Sequence, residues 1–125
     1  MNWLQKAIRR ERDALDRARR RFIRKPTEKR LHDVRTSGRR FRSLLEDVAD
    51  LVSSRELLAR VKRAAAATDA ARDASIALRL LDAAIDESER QNASWLFAQL
   101  RQREAEATQR AHRRLRHARF VTVDS

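Results

Sequence analysis

Apolar residues recur every third or fourth position along this chain, in runs broken at three places. Leu4, Ile8, Leu15, Ala18 and Phe22 share one helical face and predict a helix over residues 3–24. "KP" stops it, because Pro26 has no N–H for the helical ladder and disfavours helical backbone at Lys25. Pro26 and Thr27 suit the first turn of a second helix over 27–52, with Glu28 at its positive end. Its seam is Leu31, Val34, Phe41, Leu45, Val48 and Val52, and Gly38 fills the remaining heptad position. Glycine inside a helix costs about 1 kcal/mol against alanine. A close helix–helix approach at Gly38 is therefore expected, since a missing Cβ allows backbone contact.

"SSRE" reads as a capping box, Ser53 with Glu56, opening a third helix over 54–87. Leu57, Val61, Ala65, Ile76, Leu80 and Ile85 are its expected buried side. "ESERQNAS" reads as the last break, near 88–93. A fourth helix over 92–118 then buries Trp95 or Leu96, with Leu100, Ala107, Ala111 and Leu115. Residues 119–125 are short, β-prone and expected to be an extended tail. Four helices with short connections predict an all-α, antiparallel four-helix bundle, a single domain over 1–125.

Composition supports the helical reading and removes several chemistries. One Gly and one Pro leave almost no material for tight turns. The absence of Cys rules out disulfides and thiolate ligands. Three His, scattered at 32, 112 and 117, make a metal site unexpected. No purely apolar run exceeds four residues, so no membrane span is predicted, and "MNWLQKAIRR" lacks the apolar core of a secretion signal. The expected location is the cytoplasm.

Charge changes the picture most. Thirty Lys and Arg against 18 Asp and Glu give a formal +12, which points to a polyanionic partner. Residues 1–25 carry ten basic groups against three acidic, and residues 91–125 seven against three. The second helix is divided within itself: Lys29, Arg30, Arg35, Arg39, Arg40 and Arg42 precede Glu46, Asp47 and Asp50. His32, Arg35, Arg39 and Arg42, spaced by three, four and three, form one stripe at the edge of the apolar seam. Like charges stacked this way repel by a few tenths of a kcal/mol per pair, a cost an anion would offset. The plain alternative is a solvated basic face paired with nearby acids. For His32 it is a core-edge histidine bonded to a backbone carbonyl.

The stretch "HDVRTSGRRFR" resembles the signature of the CHAD domain, the conserved histidine α-helical domain. His32, Arg35, Arg39, Arg40 and Arg42 stand where that pattern has histidine and arginines. "TDAARDASIALRLL" resembles the family's Arg-Asp element through Arg72 and Asp73, although Ala74 and Ser75 replace its usual Leu-Asp. "HRRLRHARF" resembles the basic end of the family's fourth helix. The resemblance implies half of a tandem architecture, in which two four-helix units face each other about a pseudo-twofold axis around a basic cavity. It implies binding of inorganic polyphosphate, and a homodimer where a chain supplies one unit. Phe120 to Val123 would then be free to lie across the dimer interface.

The resulting expectation is non-enzymatic binding of inorganic polyphosphate or a similar polyanion, with no cofactor and no metal. Its expected residues are His32, Arg35, Arg39 and Arg42, with Lys29, Arg40 and Arg72 nearby and Arg113 and Arg116 from the fourth helix. One member of Arg72–Asp73 is expected to pair with the second helix. No nucleophile–base constellation or phosphate-cradling glycine loop argues for catalysis. The rivals are non-specific nucleic-acid binding and a helical scaffold for acidic proteins or anionic membrane. Polyphosphate-containing granules are a further expected location.

Overall fold

The computed structural model describes residues 2–120. Among them are five α-helices and no strand: α1 (Trp3–Arg24), α2 (Glu28–Asp47), α3 (Arg55–Ala84), α4 (Glu87–Asn92) and α5 (Ser94–Arg116). Local chemistry explains most of the ends. Asn2 and Gln5 form a capping box at α1, with Asn2 Oδ1 accepting from the Gln5 N–H at 2.8 Å. Thr27 is the cap of α2 rather than part of its first turn, its hydroxyl accepting from the Arg30 N–H at 3.2 Å.

Three predicted boundaries are corrected. The second helix ends at Asp47 and gives way to a turn over 48–51, short of residue 52. Glu46 and Asp47 crowd its negative end and no basic residue stands in its last turn, which opposes the helix dipole. The Ser53–Glu56 box does not form: Ser54 occupies the cap position and its side chain makes no cap bond. Its ψ of 15° lies outside the extended region that capping serines use, and Glu56 pairs instead with Arg60 at 2.7 Å. The expected break at 88–93 is helical over 88–92 and the third helix ends at Ala84 rather than 87, so there are five helices where four were predicted. Asp86 and Glu89 build a capping box that starts α4, and Ala93 alone separates it from α5.

The four long helices share one core. α1 packs on α2, α2 on α3, α3 on α5, and α5 on α1. Leu15, Phe22, Leu31, Phe41, Leu45, Val61, Ala71, Ala111 and Leu115 form its centre. Polar ties cross the same seams. The Arg30 guanidinium donates to the Arg21 carbonyl at 2.7 Å, and Arg19 to the Leu115 carbonyl at 3.0 Å. The Ser75 hydroxyl donates to Glu104 at 2.8 Å.

The buried faces of α1 and α2 follow the predicted seams, as do Val61 on α3 and Ala107, Ala111 and Leu115 on α5, but the rest of α3 and the start of α5 do not. On α3 the buried positions are Val61, Ala64, Ala67, Thr68, Ala71 and Ser75, whereas Ile76 and Leu80 are exposed. Small side chains carry little hydropathy, so the sequence pattern overweighted the larger ones. On α5 the core aromatic is Phe97 rather than Trp95, which is 63% exposed, or Leu96, which is half-buried. The guanidinium groups of Arg90 and Arg101 lie 5.5 and 5.6 Å from the Phe97 ring centre. Phe120 is buried in the core, so the idea that it lies across an interface is withdrawn, and residues 121–125 of the predicted tail lie outside the described residues.

Gly38 is buried against α1, but not at a backbone contact. A Cβ there would meet Leu15 Cδ1 at 3.8 Å, an ordinary van der Waals distance. The expected close approach is thus a side-chain contact with room for a methyl. Gly38→Ala should raise stability by up to about 1 kcal/mol through helix propensity. A lowered denaturant midpoint would show that the methyl does not fit.

Candidate functional site

The basic stripe opens into a groove between α2 and α3 with a volume of about 1030 Å³. Its floor is apolar, including Leu31, Val34 and Gly38 from α2 and Val61 and Ala64 from α3. Core packing therefore fixes both walls, and the polar residues project from their edges. From α2 come Lys29, His32, Arg35, Arg39 and Arg42, and from α3 come Lys62, Arg72 and Arg79. Seven Lys and Arg stand against two acids on the lining, Glu28 and Asp69. Among the described residues no Phe, Tyr or Trp side chain lines it.

Arg35 is the best-anchored member. Its side chain is 17% exposed, and its Nη1 donates to Thr68 Oγ1 at 2.6 Å and to Asp69 Oδ1 at 2.7 Å. Thr68 is fully buried and its own hydroxyl donates to the Ala65 carbonyl at 2.8 Å, leaving its lone pairs for Arg35. At one end Arg79 reaches Glu28 at 2.7 Å. Toward the other, Arg42 Nε donates to Glu46 at 2.9 Å. That hydrogen bond, reinforced by the charges of Arg42 and Lys62, holds the Glu46 carboxyl below its ordinary range. The stripe's arginines are thus not free of acids: one is paired from across the groove and one from further along α2.

His32 is exposed on the groove, with Nε2 3.4 Å from Thr36 Oγ1. The carbonyl-bonded, core-edge arrangement belongs instead to His112. Its Nε2 lies 2.8 Å from the Ile23 carbonyl, and since a carbonyl only accepts, that nitrogen carries the hydrogen. The His112 ring sits 6.3 Å from that of Phe22.

The other expected residues separate. Arg72 lines the groove but pairs with its neighbour Asp73 at 2.9 Å. The tie to α2 comes from Thr68 and Asp69, one turn earlier and opposite Arg35, rather than from Arg72 or Asp73. Arg40 borders a smaller depression between α1 and α2, which it shares with Arg10 and Arg39. Arg113 and Arg116 are exposed on α5 and do not line the groove. Lys62, Arg79, Thr68 and Asp69 were missed. Lys62, Asp69, Arg72 and Arg79 fall within an arc of about 100° on α3, a signal available from spacing alone. Among the described residues no three His, Asp or Glu side chains gather as a metal site.

With this geometry in place, comparison with known families is decisive for class. The model of the CHAD domain matches residues 6–125, nearly the whole chain, and the protein belongs to the CHAD domain family. That family is associated in general with polyphosphate binding. No curated protein and no solved structure gave a match.

Proposed function

We propose that this chain binds inorganic polyphosphate, or a polyanion of similar charge spacing, in the α2–α3 groove and does no chemistry on it. The observation that carries the reading is the gathering of seven Lys and Arg plus His32 on two facing helices above an apolar floor. Arg forks bind phosphate oxygens in pairs and need no base edges to do so. The lack of Phe, Tyr or Trp in the lining favours polyphosphate over single-stranded nucleic acid, which such grooves hold by base stacking. At physiological salt, polyphosphate should compete at least tenfold better than single-stranded or duplex DNA of equal total charge. Equal competition by all three would leave only non-specific charge attraction.

We read the four long helices as one antiparallel bundle that works beside a second copy. Ile76 and Leu80 support this, being 40% and 66% exposed on the side of α3 that carries Arg72 and Arg79. A second copy covering them would set two grooves side by side by twofold symmetry. Sedimentation at tens of micromolar, with and without polyphosphate, tests this, and a strict monomer in both would remove it. Among the described residues no helix is long and apolar enough to cross a membrane. The proposed location is the cytoplasm, at polyphosphate granules. A fluorescent fusion spread evenly through granule-bearing cells would contradict the granule part.

A further inference from the structure

Four of the five arginines that line the groove already hold a carboxylate: Arg35 with Asp69, Arg42 with Glu46, Arg72 with Asp73 and Arg79 with Glu28. The pairing at Arg35 is the informative one. Asp69 is 52% exposed while Arg35 is 17% exposed and hydrogen-bonded to buried Thr68. If that pair opens, the aspartate can turn to solvent while the guanidinium stays aimed into the groove. Asp69 thus occupies the place an anionic ligand would take.

The geometry points to Asp69 as a built-in competitor that sets the groove's selectivity, an inference that rests on the polyanion reading above. A tethered carboxylate is always present at high local concentration, so a lone anion displaces it poorly. A chain of anions that engages several arginines at once displaces it readily, because each further contact is intramolecular. Selection would then be for many linked charges rather than for charge alone. Salt dependence should carry the same mark. A phosphate that neutralises a free arginine releases about one counterion. When the phosphate replaces Asp69, the freed carboxylate takes up a counterion and cancels that release.

Asp69→Asn tests this, with Asp50→Asn as the control. Both raise net charge by one, but Asp50 lies in the turn after α2 and does not line the groove. Each protein is titrated with tripolyphosphate and with long-chain polyphosphate over a salt series, alongside thermal melts to confirm folding. Asp69→Asn should bind tripolyphosphate about fivefold more tightly, the size of a released surface ion pair. It should gain less for the long chain, and its log–log salt slope should steepen by about one. Equal gains in the two variants would reduce the effect to net charge and overturn the inference. Weaker binding by Asp69→Asn would also overturn it, since Asp69 would then be holding Arg35 in place rather than competing for it. Failure of wild type and both variants to bind either ligand would instead sink the function reading, and this inference with it.

Discussion

Replacing Arg39, Arg42 and Arg72 together by alanine should weaken polyphosphate binding roughly a thousandfold. On the proposed reading each would contribute at least one charge-assisted hydrogen bond to a phosphate, worth about 1.5 kcal/mol or more, which is about tenfold apiece. Stability should stay within about 0.5 kcal/mol, because all three are exposed. Truncating Arg42 and Arg72 removes only exposed pairs with Glu46 and Asp73, and such pairs contribute little to folding. Arg35 is left in place for the opposite reason. It is mostly buried and ties α2 to Thr68 and Asp69 on α3, so its removal would mix lost binding with lost packing. Equilibrium titration with long-chain polyphosphate, paired with a thermal melt, reads both quantities. Unchanged affinity in the triple variant would contradict the groove as the site.

The other large effect lies in the core. Phe41→Ala should cost about 3–5 kcal/mol, since the ring is fully buried at the centre of the shared cluster. Domains of this size have only about 5–15 kcal/mol in hand, so the variant should melt roughly 10–25 °C lower. Trp95→Ala gives the contrast. The largest side chain on α5 is 63% exposed, and losing it should cost under about 0.5 kcal/mol. Circular dichroism melts of the two variants would decide the point. A larger loss from Trp95 than from Phe41 would mean that α5 turns Trp95, one of the two residues the sequence pattern offered, into the core.

That register marks the boundary of what the chain discloses. The seams of α1 and α2 were legible because Leu15 and Phe22 on one helix, and Leu31, Val34, Phe41 and Leu45 on the other, are bulky and stand three, four or seven positions apart. The face of α3 was not, because Ala64, Ala67, Thr68, Ala71 and Ser75 are small or polar while Ile76 and Leu80 point out. On α5, Trp95, Leu96 and Phe97 are consecutive, so hydropathy alone could not say which one turns inward. α4 was available in principle: Asp86 and Glu89 have capping-box spacing, but the surrounding polar run hid it.

The site divides in the same way. Its α2 wall was readable, since spacing within one helix fixes which residues share a face. Its α3 wall was half-readable, through Arg72, and Lys62 and Arg79 follow from the same spacing rule. The Arg35–Thr68–Asp69 tie was not, because it joins positions more than thirty residues apart and depends on how two helices meet. Arg113 and Arg116 show the converse. Basic character alone nominated them, and the fold carries them on α5, away from the groove lining.

The most direct test of the groove as the polyanion site is to follow arginine side-chain Nε–H resonances during a polyphosphate titration at physiological salt. The account predicts that Arg39, Arg42, Arg72 and Arg79 shift together and saturate at one affinity, while Arg113 and Arg116 stay near their free positions. Shifts spread evenly over α1, α2 and α5, without saturation, would contradict it and leave a protein that attracts polyanions by net charge alone.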